Sequence, residues 1–182
     1  MKLLASRSRR SLALAVALTA ALAGTTAAAS SSSGDSAPRH GRECFTQDNV
    51  TEATIAKDSF YTGGMSMQPG AALTYRDEIY DKNEKVVGEL VGIARVIKKR
   101  HHDGHIITQY HESVKLADGT FRAEGYVDRN EFLYGATNRL KAVGTSGKFE
   151  GWKGYRQWKL LPPYPPQGLD SRLAVKIVLC NR

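Results

Sequence analysis

From about residue 54 onward, apolar and polar residues alternate in short runs, each closed by a turn signal. A period of two marks a strand with one face buried. The runs predict strands over Thr54–Phe60, Ala72–Tyr80, Val86–Lys99, His105–Lys115, Thr120–Asp128, Gly135–Val143, Gly154–Leu161 and Ser171–Cys180. Asp81 to Glu84, Asp103-Gly104 and Asp118-Gly119 read as tight turns between them. Tyr61–Gly70, rich in glycine, and Pro162–Gly168, rich in proline, read as loops. Arg129–Tyr134 carries no clear pattern and also reads as a loop. The alternation in Ala72–Tyr80 fits either register, because both faces carry apolar and charged residues.

Consecutive strands joined by short turns, with no convincing helix between them, give an all-β antiparallel barrel or sandwich. Two features point to a closed, curved sheet. Val86–Lys99 is long, β-branched and notched by Gly88 and Gly92, as a bent barrel strand is. Gly144, Gly147, Gly151 and Gly154 crowd one short stretch, and glycines at that density mark a corner between two strands.

The segment from Tyr75 to Tyr155 resembles the allene oxide cyclase and dirigent barrel superfamily, in particular its secreted bacterial members. The matching features are Tyr75-x-x-x-Ile79-Tyr80-Asp81, Val87-Gly88-x-x-x-Gly92, Asp118-Gly119 and Glu124-Gly125. The most specific is the run from Gly144 to Gly154, with Thr145 where the family usually has a second glycine. The resemblance implies an eight-stranded antiparallel barrel of the allene oxide cyclase/dirigent type with a mostly apolar cavity, often built into a homo-oligomer. It implies chemistry without a cofactor: rearrangement of a fatty-acid epoxide, or steering of phenolic coupling and cyclisation. Ala94 stands where the plant cyclases' cavity cysteine would fall, so the resemblance supplies no catalytic residue.

The first 29 residues do not belong to the barrel. Lys2, Arg7, Arg9 and Arg10 precede an apolar run from Leu12 to Ala23 and a small-residue site at Ala27–Ala29. That is the pattern of a cleaved signal peptide for Sec or, given Arg9-Arg10, twin-arginine export. The apolar run is too short for a comfortable membrane span, so no stable insertion is expected after cleavage. Residues 30–42, rich in Ser, Gly and Pro, read as a disordered linker, and 43–182 as one barrel domain. The whole chain has 26 basic and 18 acidic residues; without the four basic residues of the leader its charge is +4. Only Lys98 to His102 forms a basic cluster, and nucleic acid is not an expected partner. Cys44 and Cys180, the two cysteines, predict a disulfide in an exported protein.

Candidate chemistry comes from a repeated spacing. Tyr75-x-Asp77 and Tyr110-x-Glu112 each place a phenol and a carboxylate on one face of a strand. Turned inward, these four residues meet in an apolar lumen, where burial raises a carboxyl pKa and equips it to protonate a carbonyl, epoxide or quinone methide. Turned outward, they pair with Arg76, Arg95 or Lys115. Tyr126 and Trp152 are the further candidates for contacting a ligand, with Trp152 also suited to barrel packing. His102 and His105 flank the Asp103-Gly104 turn, but a hairpin tip offers too few fixed ligands, and no metal or cofactor is predicted. The expected partner is a small hydrophobic or phenolic ligand, handled by a secreted cofactor-free isomerase or cyclase. The alternative is a non-catalytic carrier, or an interaction protein whose barrel is filled by its own side chains. A ligand barrel needs a pocket of roughly 300–1,000 Å³, whereas about eight strands can be filled completely.

Overall fold

The computed structural model describes residues 41–59, 68–164 and 171–181. The predicted signal peptide, most of the predicted linker and the centres of the loops at 61–70 and 162–168 lie outside those residues. Eight strands run β1 (Cys44–Ser59), β2 (Ala72–Tyr80), β3 (Val86–Lys99), β4 (Ile106–Leu116), β5 (Gly119–Asp128), β6 (Asn138–Gly147), β7 (Lys153–Leu160) and β8 (Arg172–Cys180). Each pairs antiparallel with the next, and β8 pairs with β1, closing the barrel. This is the eight-stranded antiparallel architecture the alternation and the glycines point to. No helix among the described residues is long and apolar enough to cross a membrane.

Alternation translates directly into an inner and an outer wall. On β4, Thr108, Tyr110, Glu112, Val114 and Leu116 are buried, while His111, Ser113 and Lys115 are exposed. The register left open by the sequence of β2 is settled by its neighbours: Tyr75, Asp77 and Ile79 point inward and Arg76 outward. The lower half of the lumen is apolar, built by Ile79, Leu90, Val114, Phe121, Ile177 and Leu179. Below it, the β6–β7 corner folds inward and places Phe149 against Phe45, ring centroids 4.8 Å apart, and against Trp152 at 6.1 Å. Gly144 makes this corner possible, because a Cβ there would collide with the Phe149 carbonyl.

Three elements differ from expectation: β6, expected over Gly135–Val143, runs from Asn138 to Gly147, taking in Gly144 and Gly147. β1 starts at Cys44, well before Thr54. Asn49 sits at φ 57° and the ladder to β8 shifts between Gln47 and Val50. A bulge of this kind interrupts the period of two and hides the strand from pattern reading. The loop expected over Arg129–Tyr134 contains a single helical turn, α1 (Arg129–Phe132). Asp128 caps it, accepting from the backbone N–H groups of Asn130 and Glu131 at 3.0 and 3.3 Å. One turn is too short to register as helical periodicity. α1 lies at the upper end of the barrel, the end that also carries the β3–β4 connection and Tyr164, whose hydroxyl donates to the Leu160 carbonyl at 2.8 Å.

Cys44 and Cys180 face each other across the β1–β8 seam with Cα atoms 4.1 Å apart and are bonded. The bridge spans 136 residues. Closing a loop of that order removes chain entropy from the unfolded state worth about 4–5 kcal/mol. Urea denaturation of the oxidised and dithiothreitol-reduced protein therefore gives a midpoint that falls steeply on reduction, while the folded far-UV spectrum is unchanged before the transition.

Candidate functional site

A band of charge crosses the middle of the lumen. Arg156 on β7 is fully buried, and so, within a few per cent, are Glu52 on β1, Asp77 on β2 and Glu112 on β4. Strand pairing sets Glu112 opposite Gly92, Arg156 opposite Leu140 and Glu52 opposite Ile79. Arg156 Nη1 donates to both oxygens of Glu112, at 3.1 and 2.9 Å, and Nη2 donates to Glu52. The Tyr75 hydroxyl donates to Glu112 Oε1 at 2.8 Å. Tyr75 reaches it by lying over Gly92, where a Cβ would overlap its ring. Above the band sits an aromatic layer: Tyr110 meets Tyr75 at 6.3 Å and Trp158 at 5.5 Å between centroids, and Phe132 of α1 covers Trp158 at 4.9 Å.

Three carboxyl groups share one guanidinium, and the imbalance is met with protons. Burial, then the neighbouring Glu52, pushes Asp77 up to about 8. Burial pushes Glu112 up to about 7 against the pull of Arg156. Arg156 is itself lowered by burial, but Glu112 and Glu52 more than offset this and hold it charged. The Tyr75 phenol is raised by burial and by Glu112, and burial pushes Tyr110 up to about 12. The lumen thus holds acids able to give up a proton near neutral pH beside a fixed cation, which is the equipment for polarising or protonating a carbonyl or an epoxide.

The structure brings Tyr75, Asp77, Tyr110 and Glu112 together as the inward register requires, and it adds two residues that sequence reading passed over. Glu52 lies in the part of β1 hidden by the bulge. Arg156 stood in plain view: Gly154-x-Arg156-x-Trp158-x-Leu160 is a period-two inward face with one charge in it, the signature of a buried cation that needs partners. The two aromatic candidates belong elsewhere. Tyr126 points out of β5 and is 65% exposed, so it contacts no molecule in the lumen. Trp152 is buried in the floor beneath the apolar half, edge-to-face with Phe149, which is the packing role and not a ligand contact beside the acids.

Two other places merit comparison. A groove of about 520 Å³ lies outside the barrel across β2–β5, lined by Thr74, Val91, Ile93, His111, Arg122 and Glu124. Gly92, Glu112 and Ala123 also line this groove, but the Glu112 carboxylate turns inward to Arg156 and Tyr75. At the upper rim, His105, Asp128 and Glu131 hold ligand atoms within 4.8 Å of one another. The Arg100 guanidinium already occupies the place of a cation, with Nη2 2.8 Å from Asp128 and 2.7 Å from His105 Nδ1. His102, on the other side of the turn, meets Asp103 at 3.2 Å.

Residues 49–175 match the profile of the allene oxide cyclase barrel-like domain, which is more than half of the sequence. The chain belongs to that family. Among solved structures, it resembles AbnU, an exo-specific intermolecular Diels-Alderase, with TM-score 0.65 and 26% identity over 77% of this chain and 98% of that one. It also resembles a nonspecific heme-binding cyclase that catalyses 4 + 2 cycloaddition in neoabyssomicin biosynthesis (TM-score 0.68, 27% identity, 78% and 68% covered). The pterocarpan synthase dirigent protein GePTS1, at 14% identity and TM-score 0.60 over 78% and 86%, shares the fold.

The raised carboxyls make stability depend on pH in a definite direction. Asp77 and Glu112 bind protons more tightly folded than unfolded, so their contribution is fully present below about pH 4 and is lost as pH rises through about 7 and 8. Urea midpoints measured from pH 5 to 9 should fall with rising pH, and Asp77→Asn should flatten the upper part of that decline.

Proposed function

We propose that this protein is an exported, cofactor-free cyclase or isomerase acting on a small hydrophobic or aromatic molecule inside the barrel. Asp77 or Glu112 serves as the general acid, and Tyr75 or Tyr110 orients the substrate. Arg156 steadies the negative charge that develops on the substrate's oxygen. The observation that carries this reading is the surplus of buried acid around Arg156, with two carboxyls raised to about 8 and 7. Such acids are protonated often enough near neutral pH to donate, and they sit where water is scarce. The likeness to two cycloaddition catalysts over most of the chain favours ring formation as the reaction type. A proton or hydrogen bond given to the carbonyl of an unsaturated ketone draws electron density from its double bond and speeds attack by a diene. Export by the N-terminal leader and assembly into a homo-oligomer are part of the same proposal.

The alternative of an interaction protein with a filled barrel has one observation in its favour: Tyr75, Tyr110, Trp158 and Phe132 pack together in the upper lumen. Native mass spectrometry of protein purified from its own host separates the two readings, since a discrete co-purifying molecule names the substrate class.

Turnover is tested with linear molecules carrying a diene and an unsaturated ketone, with the product's stereochemistry read by chiral chromatography. Loss of a positioned general acid costs about 10²–10⁴-fold. Glu112→Gln or Asp77→Asn should lower kcat by an amount in that range, and the wild-type rate should decline as pH rises through about 7 to 8. A racemic product at the uncatalysed rate, together with a clean apo mass, overturns the enzyme reading.

A further inference from the structure

Two donors on β7 have no use within the barrel. Arg156 commits Nη1 and Nη2 to Glu112 and Glu52, but its Nε–H has no partner among the described residues. Trp158, the next inward residue on the strand, has an indole Nε1–H in the same condition. Both side chains are buried, at 0% and 2% exposure, and the Arg156 Cζ lies 5.9 Å from the centre of the Trp158 ring. Neither group can accept a hydrogen bond, so no rotation or tautomer lets one satisfy the other. Thr108, at the upper inward position of β4, adds a third unpaired buried group, its hydroxyl. Buried polar groups in folded proteins are nearly always paired, and a cluster of exceptions calls for a reason.

We propose that the Arg156 Nε–H and the Trp158 Nε1–H together receive one acceptor oxygen of the ligand, so that the molecule held in the lumen carries a carbonyl or enol oxygen beside β7. This rests on reading the lumen as a ligand site and adds which chemistry that ligand presents there. Unlike the acids opposite, the β7 side offers only donors, and its guanidinium repels a cationic group. A pure hydrocarbon would leave both donors unpaired, and an amine would meet like charge. The oxygen end is therefore fixed beside β7, next to the Tyr110–Trp158 stack, and the apolar remainder of the ligand extends along the aromatic layer beneath Phe132.

Indole N–H resonances give a direct readout. The protein has two tryptophans, so a nitrogen-15 spectrum shows two such signals, assigned by the loss of one in Trp158→Phe. The probe is benzylideneacetone, an aryl enone, compared with its hydrocarbon analogue in which CH2 replaces the carbonyl. The ketone should move the Trp158 N–H signal downfield and leave that of Trp152 in place. A single net hydrogen bond corresponds to about a five- to tenfold change in affinity, so Trp158→Phe should weaken ketone binding by about that factor. Binding of the hydrocarbon should change by less than about twofold. Equal binding of ketone and hydrocarbon, with the Trp158 signal unmoved in the wild-type protein, overturns the acceptor site while leaving a lumen that takes apolar ligands. Binding of neither probe overturns the acceptor site and the ligand-barrel reading together.

Discussion

A fully buried guanidinium is the constraint around which this barrel is arranged. Taking a charge out of water costs several kcal/mol even after relaxation, so Arg156 must find its counter-charges inside the wall. It finds them on β1 and β4, through Glu52 and Glu112. Those contacts tie three strands across the lumen that the hydrogen-bond ladder joins only by going around the barrel. Tyr75 and Gly92 follow from the same demand. Glu112 Oε1 has capacity beyond Arg156, the Tyr75 hydroxyl fills it, and the ring can cross β3 only where the side chain is a hydrogen.

Such a cluster is a poor way to stabilise a barrel. A buried ion pair can often be exchanged for apolar residues with no loss of stability, and the lower half of this lumen shows that the chain can fill itself with Ile, Leu, Val and Phe. The acid side is also over-supplied. Asp77 gains no direct partner for Oδ1 among the described residues and holds its proton to about pH 8. As a structural element that is a defect. As a chemical one it is a proton donor kept ready in a dry site beside a cation. Stability alone does not account for the arrangement, and the proposed chemistry does.

The barrel was legible because its signals are local. A period of two, an Asp-Gly turn or a run of glycines is decided within a few residues, and those signals survive in β2 through β8. Where a local signal was broken, reading failed. The bulge around Asn49 hid the first half of β1, and Glu52 with it. One turn of α1 was too short to leave a period. The site was legible only in part for a different reason. Tyr75, Asp77, Tyr110 and Glu112 announce themselves by spacing, but whether they meet depends on the register of β2, and that is fixed by partners far along the chain. Tyr126 shows the converse: an aromatic on a strand of the right kind, one position out of phase, lies on the opposite face of the wall.

Family membership and chemistry are carried by different residues. The glycines behind the resemblance shape the β6–β7 corner and the crossings of β3, and they place Phe149 in the floor and Tyr75 across the wall. None of them meets the lumen with a functional group. They specify that there is a closed barrel with an inside, and a fold of this kind can host many activities. What the inside does is decided by a few side chains in the band and the layer above it. Of these, the acids on β1, β2 and β4 face a strand, β7, whose free groups are all donors. A lumen with proton donors on one side and unpaired N–H groups on the other is polarised across its width. On the proposed reading, a molecule with an oxygen at one end and unsaturation along its body is held in one orientation, which is what selective ring closure requires of a site.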